Sequence, residues 1–186
     1  MEIAKKIAFN NITKIILIAV LGSVLLTISA KVKIPFYPVP MTMQTFVVLF
    51  LGITLGPKIG LLTLSLYLFE GIFGLPVFAG TPEKGIGLAY FTGPTMGYLI
   101  GFLFAVYFSG SFKYDKRLLN NFLKLIFSVS FIYIFGLIWL GTLIGWDKPI
   151  LKLGAQPFLL AELFKVLLLV FLIPVLLKTK KIFKIT

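Results

Sequence analysis

The sequence predicts an all-α integral membrane protein with six transmembrane helices and both termini on the cytoplasmic side. Three observations carry that reading. The chain of 186 residues is 59% hydrophobic and only 13% charged, whereas a soluble domain is roughly half apolar and about a quarter charged. Its apolar runs are long and its mean hydropathy is +1.06, as a lipid-embedded chain requires. Its basic residues gather between and outside these runs, where they mark membrane sidedness. At ~20 residues per span plus short connections, the length accommodates about six helices. They make up a single membrane domain over residues 1–186, with no separate soluble domain.

Each element follows from local sequence. Residues 1–13 form a polar, basic head expected to lie along the membrane surface. The apolar run after it lacks a small-residue cleavage site, which predicts a retained first span rather than a cleaved signal peptide. Span 1, about 15–30, contains Ala19, Gly22 and Ser23, small residues that permit close helix approach within the bundle or to another subunit. Residues 31–45, KVKIPFYPVPMTMQT, hold Pro35, Pro38 and Pro40, which exclude a regular helix. The segment reads as an ordered, aromatic-bearing loop. Span 2, about 41–55, ends in a tight turn at Gly56-Pro57-Lys58, and span 3 covers about 59–69. Both are short for a bilayer, which predicts tilting, local thinning or burial inside the bundle.

Residues 70–92, EGIFGLPVFAGTPEKGIGLAYFT, form the longest break, with five glycines and two prolines. Loops of that length are commonly functional or disordered. The aromatics Phe73, Phe78, Tyr90 and Phe91 argue against disorder, so a folded loop covering something is expected. Span 4 is about 93–112 and opens with GPTMGYLIGF. Span 5 is about 122–144, followed by Trp146 at an interfacial position and a polar connection over 147–156. Span 6 is about 157–177, PFLLAELFKVLLLVFLIPVLL.

Sidedness comes from charge. With six spans, both termini and the loops after spans 2 and 4 share one side, which holds twelve of the basic residues; the other side holds five, at Lys31, Lys33, Lys84, Lys148 and Lys152. The excess marks the termini as cytoplasmic. The net charge of +12 is thereby a topology signal and not a nucleic-acid footprint. The Pro-rich loop, the Gly-rich loop and the start of span 6 then converge on the outer side.

That convergence gives meaning to Glu162 and Lys165, which lie three residues apart near the start of span 6. Charges inside an apolar span are costly and point to function, and a spacing of three puts both on one helix face. A structural ion pair pinning helices together is the plainer reading. The chain has no Cys and no His, and only six acids, Glu2, Glu70, Glu83, Asp115, Asp147 and Glu162. Disulfides, Cys or His metal sites and His-based catalysis are excluded. No GxxxxGK[ST] phosphate loop is present, and GPTMGYLIG fits no nucleotide fingerprint. Binding is favoured over catalysis. The expected pocket combines an acceptor (Glu162), a donor (Lys165) and bifunctional groups (Gln44, Thr42, Tyr90) with Phe36, Tyr37, Phe78 and Phe91. It suits a small ligand with an apolar body and a compact polar head such as a cyclic urea or amide. Glu162 accepts from ring N–H groups while Lys165 donates to the carbonyl; alternatively Lys165 takes a ligand carboxylate.

The segments PVPMTMQTF (38–46), LGPKIGLLTLSLYLFEGIFGLPVFAG (55–80), GPTMGYLIGF (93–102) and PFLLAELFKVLLL (157–169) resemble the biotin transporter BioY family. These are the substrate-binding S components of energy-coupling factor (ECF) transporters. The resemblance runs in order along nearly the whole chain. It implies a six-helix S-component fold in a prokaryotic plasma membrane and high-affinity capture of biotin from outside. It also implies partnership with a transmembrane coupling subunit and two ABC-type ATPases. No metal or cofactor and no catalytic residue is implied. Two departures stand out. Span 6 usually resembles PFLPGDLLK, so Glu162 stands where Asp is usual and Ala161 where Gly is usual, with Lys165 kept. A ligand-facing position in the Gly-rich loop is often Asn, and this chain has Gly80 and Thr81 near it. The family's use of small residues in span 1 to meet the coupling subunit points to Ala19 and Ser23 at i, i+4. An S component for a different vitamin, a membrane-embedded enzyme using Glu162 as acid or base, and a purely structural subunit are the alternative readings.

Overall fold

The computed structural model of the protein describes residues 2–34, 37–83 and 85–183. Apolar helices dominate. Helix α1 is Glu2–Lys31, so the expected surface head is helical and continuous with span 1. The physical reason is local: between Glu2 and Leu21 there is no Gly or Pro, and helix once nucleated propagates at little cost. Between α1 and α2 the described residues of the Pro-rich segment are non-helical as expected, but they carry a small antiparallel ladder of β1 (Lys33–Ile34) and β2 (Met41–Thr42), with Lys33 opposite Thr42 and Ile34 opposite Met41.

Helix α2, Gln44–Ile72, is two rods joined at Gly56, whose φ of 77° is open to glycine but strained for other residues. Pro57 follows, at the position where a proline starts a helix without cost. The chain doubles back there. A side-chain carbon at Gly60 would lie 3.6 Å from the Gly52 Cα, and Gln44 near the start of the first arm bonds Tyr67 late in the second. The arms cover 44–55 and 57–72, about 18 and 24 Å long at 1.5 Å per residue.

The Gly-rich loop then leads through the short helix α3 (Leu88–Phe91) to α4 (Met96–Ser111) and α5 (Leu118–Ile144). The last segment comprises α6 (Ile150–Gly154), a single 3-10 turn at Gln156–Phe158, and α7 (Leu159–Phe183). By length and apolar composition Ile12–Lys31, Gln44–Ile72, Leu118–Ile144 and Ile150–Lys178 are each able to cross a membrane, and Met96–Ser111 is a shorter apolar helix. This is a membrane protein.

The core lies where α2 packs on α1 and α4, and α4 on α5. Leu26, Val48, Leu64, Val106, Ile132 and Leu169 are among its fully buried members. The α4–α5 seam is zipped by glycines: Gly97 and Gly101 bring α4 against the α5 backbone at Phe131, Ile132 and Phe135, the small-residue packing that apolar helices use in lipid. Leu, Ile and Phe side chains such as Leu17, Leu21, Phe164 and Phe171 remain on the outside, where hydrocarbon rather than water solvates them.

Candidate functional site

Glu162 and Lys165 lie at the start of α7, 5% and 8% exposed. Their placement has a local cause. Pro157 lies in the 3-10 turn that leads into α7, and Glu162 falls in the first turn of that helix, where the positive end of the helix dipole favours a carboxylate. Lys165 follows one turn later, and its Nζ lies 3.4 Å from Glu162 Oε2.

The ammonium has three N–H groups and three acceptors. Besides Glu162, Lys165 donates to the Thr42 carbonyl at 2.7 Å and to Thr45 Oγ1 at 3.0 Å. Glu162 Oε2 in turn accepts from Thr45 Oγ1 at 3.0 Å and from the Tyr133 hydroxyl at 3.3 Å. Three elements therefore meet on this pair: the end of the β-ladder with the start of α2, α5, and α7. The second carboxylate oxygen is different. Among the described residues, Glu162 Oε1 is the buried side-chain polar atom with no hydrogen-bond partner. A buried acceptor left unpaired is expensive, more so when charged.

Glu162 and Lys165 line a pocket together with Thr42, Gln44, Phe78 and Tyr90, so six of the residues singled out in the sequence are brought to one place. Gln44 is held by its neighbours: its amide nitrogen donates to the Tyr67 hydroxyl at 2.7 Å, and its oxygen accepts from Thr42 Oγ1 at 3.3 Å. Phe78 stacks on Tyr90 with ring centroids 4.7 Å apart, and Tyr67 meets it edge-on at 5.2 Å. The Tyr90 hydroxyl donates to the Ala79 carbonyl at 2.7 Å. Burial pushes the Tyr90 hydroxyl above its ordinary pKa, with a Thr95 hydrogen bond partly opposing, so it stays a protonated donor at neutral pH.

Other expectations meet a different outcome. Tyr37 is 90% exposed and does not line the pocket; Phe36 lies outside the described residues. Gly80 sits in the turn behind Ala79 with φ 82°, beside the pocket wall and not in it. Ala19 and Ser23 are 2% and 1% exposed, so both are packed against this chain itself. They face inward, and Ser23 donates to the Glu70 carboxylate at 2.7–2.8 Å. Sequence reasoning passed over Thr45, Thr95, Tyr98, Tyr133 and Phe158, all of which line the pocket. Tyr98 and Tyr133 carried a readable signal: a hydroxyl inside an apolar span needs a partner. They bond Gly154 and Glu162 respectively.

Fold and site together define a membrane protein with an aromatic-walled pocket among its helices and a buried Glu–Lys pair in its lining. The chain belongs to the BioY family, whose model matches residues 3–182. It is similar to the probable biotin transporter BioY of Pyrococcus horikoshii, 36% identical over 141 residues, covering 76% of this chain and 82% of that protein. It is also similar to the biotin transporter BioY of Thermotoga maritima, 33% identical over 142 residues with the same two coverages. Its fold matches the S-component for biotin from an ECF-type ABC transporter with a TM-score of 0.76 and 26% identity, over 91% of this chain and 93% of that one. These are transporters, not enzymes, and the reading of Glu162 as a catalytic acid or base falls away.

Proposed function

We propose that the protein is a biotin-binding S component. It captures biotin on the outer side of a prokaryotic plasma membrane and delivers it inward with a transmembrane coupling subunit and two ABC-type ATPases. The observation that carries this reading is the unpartnered Oε1 of Glu162 in the pocket wall. Biotin presents a cyclic urea with two N–H donors and one carbonyl on an apolar bicyclic body. A ureido N–H donating to Oε1 makes a charge-assisted bond and satisfies the buried acceptor. Gln44 Nε2 has a second N–H beyond the one it gives to Tyr67, which suits the ureido carbonyl. Phe78, Tyr90 and Phe158 supply apolar walls. Lys165, its three N–H groups engaged, neutralises Glu162 and holds it in place.

Counting the two arms of α2 separately supports the six-helix arrangement of an S component. Both termini face the cytoplasm, in keeping with the twelve basic residues on that side.

The test is a calorimetric titration of the purified protein with biotin. Glu162→Gln replaces the charged acceptor with a neutral amide and is expected to weaken binding roughly tenfold to a hundredfold. Glu162→Asp, the family's usual residue, is expected to bind within about threefold of the wild type, a cost below ~1 kcal/mol. Equal affinity in Glu162→Gln would remove the carboxylate from ligand recognition.

A further inference from the structure

The turn over the pocket is held by its carbonyls. Val77 O accepts from the Tyr67 hydroxyl at 3.2 Å, and Ala79 O accepts from the Tyr90 hydroxyl at 2.7 Å. The carbonyls of Phe78 and Thr81 accept from a residue that comes from elsewhere in the chain, Lys31, at 3.0 and 3.2 Å. The same Nζ lies 3.1 Å from Thr81 Oγ1, whose own proton goes to Phe78 O at 2.7 Å. The ammonium thus turns all three of its N–H groups onto one turn. A lysine serving only as a membrane-sidedness signal has no reason to converge on three acceptors of a single turn.

Lys31 is the last residue of α1, and α1 is itself anchored to the element that precedes the loop. Ser23, two turns earlier, donates to Glu70, whose backbone carbonyl accepts from Leu75 N at 3.0 Å. Helix α1 therefore grips the loop near its origin and again at the Phe78–Thr81 turn. That turn presents Phe78 and Ala79 to the pocket.

We propose that Lys31 is a positioning residue of the binding site: it pins the Phe78–Thr81 turn to the end of α1 and so slows ligand release. The proposal rests on reading the pocket as the biotin site. Ligand leaves past a turn that must shed three Lys31 contacts to move, and entry does not require those contacts to exist.

The experiment compares wild type, Lys31→Met and Lys31→Arg, each purified as the full chain. Stopped-flow dissociation of biotin is expected to accelerate about tenfold in Lys31→Met, the scale of lost bonds to a charged donor. Its association rate is not reduced and its stoichiometry is unchanged, and Lys31→Arg restores slow release. Dissociation unchanged in Lys31→Met, or Lys31→Arg releasing as fast as Lys31→Met, overturns the proposal. Hydrogen exchange of the amides over 77–81 without ligand keeps the test independent of ligand identity. It is expected to rise about tenfold in Lys31→Met and return in Lys31→Arg. Failure of the wild type to bind biotin, with that exchange response intact, counts against the biotin reading alone; an absent exchange response counts against the pin.

Discussion

Replacing Lys165 with alanine is expected to lower biotin affinity roughly a hundredfold to a thousandfold and to destabilise the folded protein. The cause is what the substitution leaves behind. Glu162 Oε2 would keep Thr45 and Tyr133 as donors, but its counter-charge would be gone in a site 5% exposed. Removing one partner of a buried pair typically costs about 3–5 kcal/mol, because the remaining charge is uncompensated. The Thr42 carbonyl and Thr45 hydroxyl also lose the Lys165 donor, so the start of α2 keeps its Thr45–Glu162 bond to α7 but loses its bonds to position 165. Calorimetry reports the affinity, and thermal unfolding in detergent reports the stability. Lys165→Ala combined with Glu162→Ala separates the two effects. Removing both charges is expected to restore most of the stability without restoring binding, since the acceptor Oε1 is gone. A double variant that still binds biotin tightly would make the pair purely structural.

Gly101→Val is expected to be nearly as damaging, through packing. A Cβ on Gly101 would lie 2.5 Å from the Ile132 Cα and 2.8 Å from the Phe131 carbonyl oxygen. Both are backbone atoms, so no rotamer change relieves the clash and α4 and α5 must separate. Overpacking that shifts backbone usually costs about 1–3 kcal/mol or more. The loss reaches the pocket because Ile132 and Tyr133 line it and Tyr133 holds Glu162. Biotin affinity is expected to fall at least about tenfold, the equivalent of ~1.4 kcal/mol, along with the yield of folded protein. Ile134→Ala, on the exposed side of α5, is expected to leave both unchanged. Wild-type affinity and yield in Gly101→Val would show that the seam tolerates separation.

Glu162 and Lys165 were legible because charge is rare in an apolar run: a single carboxylate inside a span is conspicuous in a way that no apolar residue is. The turn at Gly56-Pro57 was equally plain, since a positive φ followed by a helix-starting proline is written in two letters. Tyr133 and Thr45 were harder. Their roles depend on which face of α5 and α2 meets α7, and an almost uniformly apolar helix carries little periodic signal to say so. The same limit holds for Ala19 and Ser23. Small residues announce close approach, but not whether the approaching helix belongs to the same chain. Tyr37 shows the complementary problem in a loop, where an aromatic ring has no helix phase to place it inside or out. Lys31 was readable as a boundary lysine, and its second role, toward carbonyls some fifty positions away, exists only once the loop is folded over the helix end.

Biotin recognition through its urea is tested most directly on the isolated protein. Titrating purified wild-type chain with biotin by calorimetry, with native mass spectrometry on the same sample, is expected to give saturable binding of one biotin per chain. A biotin analogue methylated at the ureido nitrogens, which cannot donate to Glu162 Oε1, is expected to bind at least about tenfold more weakly. Folded protein that takes up no biotin, or that binds the methylated analogue as tightly as biotin itself, would contradict it.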